Sequence, residues 1–317
     1  MKASKHIEVK QLIRKIILFL LAFVLLDVIS AVFLEKLLVN QSRGDYQKFN
    51  YLFNESQDQI IFLGNSRVEH QIVPQVVEET TGLNAYNAGI GGRDILFSNA
   101  VLDVLLERHQ ANYLVLEMQW ANLFDPVKED RMSFLNPYYF SNPELQKWLN
   151  EGRIDKHFLY HSSFVRYNST LWDLLSASFT SDEIDRGYKP LRGNLENRST
   201  VTPPNQGFPE ELNARKVELY KSFINKVLQS KSQLIIIVTP NFHPKEIGSH
   251  QGLHSFIRFL KEKKVPLLDF GNSEGYVENK SIFYDVRHLN HEGANRFTFT
   301  LSDSLLPILN STQHQIN

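Results

Sequence analysis

The chain has 317 residues, of which 42% are hydrophobic and 22% charged, with a formal net charge of −1. That balance excludes wholesale disorder and argues against a nucleic-acid surface as the main partner. Cysteine is absent, which removes thiol nucleophiles, thiolate metal sites and disulfides together.

The N-terminal end carries the strongest hydropathy signal. Ile16 to Leu34 contains only two polar residues, Asp27 and Ser30. As a helix this run spans about 28 Å, close to the hydrocarbon thickness of a bilayer. Lys2, Lys5, Lys10, Arg14 and Lys15 precede it against one acid, Glu8. By the positive-inside rule residues 1–15 form a cytoplasmic tail, 16–34 a single-pass anchor, and the remainder lies outside, in a periplasm or extracellular. The run is long for a cleaved signal peptide, and no small-x-small site follows it. Asp27 sits near the middle of the span, where a carboxylate either meets a partner or is simply tolerated.

Residues 35–58 are polar and mixed, which predicts a short stalk. An α/β pattern then begins. Gln59 to Gly64 reads as a buried strand, and Val73 to Thr80 as a helix stopped by Gly82. Asn84 to Asn87 reads as a strand, Ile95 to His109 as a helix and Tyr113 to Met118 as a third strand. From about 125 to 209 the pattern lapses into a segment rich in aromatics, Asn and Ser, which predicts a mainly helical insertion or cap. It resumes with a helix through Tyr220 to Leu228, a strand at Leu234 to Thr239 and a helix at Leu253 to Leu260. A fifth strand, Val265 to Phe270, and a last helix from about Glu292 complete it. The expected fold is a three-layer α/β/α, flavodoxin-like parallel sheet of about five strands over residues 59–310. Ligands then bind at the carboxyl ends of the strands.

Three motifs fall at such ends. Gly64-Asn65-Ser66 follows the first strand, and Ser66 is either a nucleophile or a helix cap. Asn87-Ala88-Gly89-Ile90-Gly91-Gly92 follows the second, with glycine N–H groups that can face a developing oxyanion. Asp285-Val286-Arg287-His288 precedes the last helix, so that His288 could take a serine proton while Asp285 orients it. The chain order Ser, Asp, His is one of the known orders for this triad. Paired histidines at 157/161 and 250/254 have no third ligand nearby, which points away from metal binding.

Together these motifs resemble the SGNH (GDSL-type) hydrolase superfamily. Gly64-Asn65-Ser66 stands for its Gly-Asp-Ser block, Asn87 to Gly92 for Asn-x-x-x-x-Gly, and Asp285 to His288 for Asp-x-x-His. The resemblance implies catalytic Ser66, Asp285 and His288. It also implies an oxyanion hole from the N–H groups of Ser66 and Gly92, with Gly91 second, and the Asn122 side chain. The third block, Gly-x-Asn-Asp, is altered: Asn122 fits only with a one-residue insertion, and Gln119 is the other donor. The implied activity is that of a serine esterase or O-acyltransferase that needs no metal or organic cofactor. Its implied substrate is an acylated glycan or small ester, with acetyl groups of envelope or exported polysaccharide foremost, and a multi-spanning membrane acyltransferase is the implied partner. Two other classes stay open at this point. One is a non-catalytic glycan-binding or scaffold subunit that uses the aromatic insertion. The other is a flavodoxin-like domain for a phosphorylated ligand.

Overall fold

A computed structural model describes residues 2–151, 156–177, 184–196, 207–243 and 245–316. Its elements in chain order are α1 (Lys2–Val39), α2 (Gly44–Asn54), β1 (Ile60–Leu63), α3 (Ser66–Gln71), α4 (Pro74–Thr81), β2 (Ala85–Asn87), α5 (Ile95–Arg108) and β3 (Tyr113–Glu117). The short helices α6 (Gln146–Leu149), α7 (Lys156–Leu159), α8 (Ser163–Tyr167) and α9 (Leu171–Ala177) follow. Last come α10 (Ala214–Leu228), β4 (Gln233–Val238), α11 (Gln251–Glu262), β5 (Leu267–Asp269) and α12 (His291–Ile316). The chain divides into two units. One joins 1–42 to 133–180, and the other joins 43–132 to 181–317.

The larger unit is built on a five-stranded, all-parallel sheet of order β2-β1-β3-β4-β5. Strands covered on both faces read as near-continuous apolar runs, as β1 (Ile-Ile-Phe-Leu) does and β4 does from Leu234 to Val238. Ile60 and Phe62 of β1 point with Val115, Ile235 and Ile237 into a core closed by Phe297, Leu301 and Leu305 of α12. α12 packs with α3 and α4, and α10 packs with α5. β1 pairs with β2 on one side and β3 on the other, so the chain leaves it in opposite directions. The crevice this reversal opens lies beyond the carboxyl ends of β1 and β3.

Two boundaries differ from those expected. Residues 35–58 are not a stalk: α1 runs on to Val39, and α2 belongs to the sheet unit. Tyr46, Phe49, Leu52 and Phe53 of α2 are buried on one face, with the Phe49 ring edge-on to Phe97 of α5 at 5.6 Å. Alternation with Asp45, Gln47 and Asn54 dilutes that apolar signal in the sequence. The insertion is also narrower than 125–209. Residues near 186 return to the sheet unit, where the Asn87 N–H donates to the Arg186 carbonyl (3.0 Å).

The smaller unit contains α1 and α6 to α9. Glu8–Val39 of α1 is the one helix among the described residues long and apolar enough to cross a membrane. Asp27 is not bare. Its carboxylate accepts hydrogen bonds from the Ser162 hydroxyl (3.1 Å), the Ser163 hydroxyl (2.7 Å) and the Phe164 N–H (3.0 Å).

Phe297 is fully buried at the sheet face. Phe297→Ala is expected to cost ~3–5 kcal/mol of stability, read by chemical denaturation of the detergent-solubilised chain.

Candidate active site

β1 ends at Leu63, and Gly64 turns the chain with φ +157°. A Cβ there would come within 2.6 Å of the Val68 side chain and 3.1 Å of the Glu117 Cβ, so only glycine fits. Asn65 then caps α3, its Oδ1 accepting from the Arg67 N–H (2.8 Å). Ser66 is the first residue of that helix. Its N–H is one of the four at a helix start that have no intrahelical acceptor. The cap that the sequence offered to Ser66 is supplied by Asn65, which leaves the Ser66 hydroxyl free of the capping role.

That hydroxyl lies 2.8 Å from His288 Nε2. His288 Nδ1 lies 2.9 Å and 3.0 Å from the two Asp285 oxygens. A carboxylate can only accept, so Nδ1 donates, and Nε2 is left to accept the Ser66 hydroxyl proton. Asp285 also accepts from the backbone N–H groups of Arg287 (2.7 Å) and His288 (2.9 Å), which fix its plane. Burial pushes the Asp285 carboxyl up, but the bonds from His288 and Arg287 outweigh it and hold it at about 2. The His70 ring stands edge-on to His288 at 5.5 Å. Burial is the main cause that pulls His70 down to about 4, so His70 is neutral near pH 7 and sets no charge against His288.

The glycine loop sits against α3. A Cβ on Gly89 would fall 2.5 Å from the Glu69 nitrogen, so the loop can approach this closely only as glycine. The Ile90 carbonyl accepts from the Arg93 N–H (3.4 Å), and Gly92 at the third turn position has φ +73°. Asn87 is fully buried and ties the pieces together. Its amide donates to the carbonyls of Val68 (2.6 Å) and Ile72 (2.7 Å), and its oxygen accepts from the Gly89 N–H (3.0 Å). The Gly91 N–H donates to the Glu69 carboxylate, so Gly91 is engaged while Gly92 stands at the turn's corner. Buried Lys48 donates to the Gly89 and Gly187 carbonyls, fixing the other side of the loop.

The third strand end is unlike the expected block. Glu117 closes β3, is buried, and accepts at Oε1 from Gln119 Nε2 (3.0 Å) and the Thr239 hydroxyl (3.2 Å). Its Oε2 has no hydrogen-bond partner among the described residues. Burial pushes the Glu117 carboxyl up, and the nearby Arg67 guanidinium opposes this. Arg67 itself bonds the Pro240 carbonyl (2.9 Å) and the Asn241 side chain (3.1 Å), fastening α3 to the end of β4. Gln119 also donates to the Thr239 carbonyl (3.1 Å), so its amide is spent on β4 and not offered to a ligand. Asn122 hydrogen-bonds with the Tyr220 hydroxyl. It shares with Gly64, Asn65, Glu117 and Tyr220 the lining of a small cavity at the end of β1 and β3.

Ser66, Asp285 and His288 thus form one hydrogen-bonded chain, and Gly91 lies beside Ser66. The sequence reading passed over Lys48, Glu69, Glu117 and Thr239. No local pattern marks them: Lys48 and Thr239 meet partners distant in the chain, and Glu117 is buried beside Thr239, 122 residues on. His250 caps α11 at the Leu253 N–H (3.2 Å), and His157 bonds the Tyr139 hydroxyl (2.7 Å).

No family model matches the sequence, and neither does any curated protein. In three dimensions the chain is similar to a GDSL-like lipase from Bacteroides thetaiotaomicron. The identity is 11%, with 85% of this chain and 100% of that chain covered and a TM-score of 0.38. It is also similar to a protein of Streptococcus pneumonia provisionally described as a platelet activating factor, with 12% identity, 88% and 99% coverage and a TM-score of 0.42. A third is a Bacteroides fragilis protein provisionally described as an acylhydrolase, with 13% identity, 84% and 98% coverage and a TM-score of 0.36. Identity and score are low in every case, so function is argued from the chain's own residues.

Asn87→Ala strands the Ile72 carbonyl and the Gly89 N–H in the core and leaves the Val68 carbonyl only its bond from the Ile72 N–H, and is expected to cost about 2 kcal/mol by chemical denaturation. Asp285 has a folded value of about 2 against an ordinary 3.8. Its contribution is therefore complete above the ordinary value and disappears as pH falls through the folded one. Because the side chain is 40% exposed, the effect is modest. Between about pH 5 and about pH 2, Tm of the wild type is expected to fall further than Tm of Asp285→Asn.

Proposed function

We propose that the chain is an SGNH-type serine esterase or O-acyltransferase, held at a membrane by α1 with its larger unit on the outer side. The observation that carries the proposal is the 2.8 Å contact of Ser66 Oγ with His288 Nε2, in a chain completed by Asp285. Ser66 Oγ attacks the ester carbonyl and its proton passes to His288 Nε2. Asp285 holds the imidazole in the required tautomer and stabilises the imidazolium. The carbonyl oxygen gains the negative charge, facing the N–H groups of Ser66 and Gly92. Asn122 completes the hole if it leaves Tyr220 when substrate binds. The tetrahedral adduct then collapses, the C–O bond to the alcohol breaks, and His288 returns the proton to the departing oxygen. Water or an acceptor hydroxyl attacks acyl-Ser66, again deprotonated by His288, and restores the free serine.

The basic residues 2–15 before the apolar helix support a cytoplasmic N-terminus. An outward-facing serine acyl-transfer site on a membrane anchor suits ester-linked acyl groups, acetyl foremost, on envelope or exported polysaccharide. A multi-spanning acyl donor protein is the matching partner if transfer, and not hydrolysis, is the outcome.

A fluorophosphonate probe is expected to label the purified chain at Ser66, and His288→Ala to abolish labelling. Ser66→Ala is expected to lower ester hydrolysis about 10⁴-fold or more. A folded chain that resists the probe while a control hydrolase reacts would contradict the proposal.

A further inference from the structure

The smaller unit holds an arrangement that ester chemistry does not use. One stripe of α1 is covered: Asp27, Ser30 and Ala31 in part, then Leu34 and Leu38 fully, and Gln41 just beyond the end of the helix is buried as well. These positions recur every three or four residues, so they form a single helical face. α8 packs on that face. The Asp27 carboxylate takes the Ser162 and Ser163 hydroxyls and the Phe164 N–H, and the Phe164 ring meets Phe23 at 5.5 Å. Further along, the Gln41 side chain donates to the Leu174 carbonyl of α9 (3.0 Å). The segment from Ser162 to Leu174 therefore follows α1 from Asp27 to its end at Val39, about 18 Å at 1.5 Å per residue, and reaches Gln41 just beyond. Asp27 lies seven residues inside Leu34, the last residue of the apolar run, or about 10 Å below its end.

Much of the exposed surface of these short helices is apolar, including the part of Phe164 that its contact with Phe23 leaves uncovered. Phe158 is 81% and Trp172 77% exposed, and Phe164, Val165, Leu171 and Leu175 are also exposed. The one cation of α8, Arg166, is buried, with its guanidinium over the rings of Phe140 and Tyr167 at 5.0 and 5.2 Å. Water would make such a face costly, and lipid would not. If α1 spans the bilayer, bonds from Asp27 to α8 hold the exposed side chains of α8 at hydrocarbon depth. Trp172 on α9, near the Gln41 level, comes at the headgroup boundary, where tryptophan is favoured. The exposed polar groups Asn168 and Asp173 follow α8 in the chain, toward that boundary.

We propose that α8 and α9 form a lipid-embedded buttress of the anchor, immersed in the leaflet nearer the α1 C-terminus, with Asp27 as the polar clasp that holds α8 within the bilayer. The occupant of the exposed apolar face is lipid. Asp27 then acts inside its own chain, and no second membrane protein is needed to satisfy it. This rests on the reading of α1 as a transmembrane helix.

The natural absence of cysteine makes the test clean. Single cysteines at Phe164, Leu175, Leu25 on the exposed side of α1 and exposed Glu79 of the sheet unit are labelled with an environment-sensitive fluorophore. The full chain is reconstituted in phosphatidylcholine–phosphatidylglycerol vesicles. The expected result is strong quenching by spin-labelled phospholipid and protection from iodide at Leu25 and Phe164. Leu175 should be quenched best by a label placed near the headgroup, and Glu79 by iodide alone. Quenching at Leu25 with iodide access at Phe164 and Leu175 would overturn the buttress and leave the anchor standing. Iodide access at all four positions would overturn both. Shielding of Phe164 from both quenchers would mean a protein occupant, a second copy included, and would also overturn it.

Discussion

A sheet whose strands all run the same way and are covered on both faces leaves little room for polar chemistry inside. Everything else in the larger unit follows from that constraint. Polar side chains must gather where the strands stop, and the departure of the chain from β1 in two directions opens the crevice there. Ser66 is three residues beyond β1, the glycine turn follows β2 directly, and Glu117 and Gln119 close β3. Asp285 and His288 come from the far end of the chain and still arrive at the same edge, because α12 must return across the sheet to cover Phe62 and Val115.

Placement alone does not make a reactive serine. The crevice is held by buried polar groups whose bonds are mostly complete. Asn87 binds α3 to the glycine loop, Lys48 holds that loop from behind, and Arg67 fastens α3 to the end of β4. Each of these groups would be costly to leave unpaired, so the network permits little freedom in the backbone around Ser66. Glu117 is less completely bonded: its Oε2 has no hydrogen-bond partner among the described residues, and burial pushes its carboxyl up against the opposing Arg67 guanidinium.

The parts legible in the sequence were those governed by local pattern. β1, β3 and β4 are short apolar runs, α4 carries a glycine stop at Gly82, and Asp285 and His288 are only three residues apart. The parts that escaped depend on distant partners. α2 looks like a polar stalk until α5 covers its aromatic face. α3 has a single apolar side chain, Val68, and shows no periodicity at all. Nothing near Lys48 and Glu117 in the chain reveals that their charged ends are buried among polar groups. Asp27 is visible as an anomaly in the apolar run, but its three donors lie about 135 residues later and only folding brings them to it.

The central claim is that Ser66 carries the acyl group between the two halves of the reaction. The most direct measurement is mass spectrometry of the chain quenched in acid during turnover of an activated acetyl ester. The account predicts a peptide containing Ser66 that is heavier by one acetyl group, absent in Ser66→Ala, and short-lived unless the quench is fast. Turnover without any such adduct, or an acetyl group carried on another residue with Ser66→Ala still fully active, would contradict it.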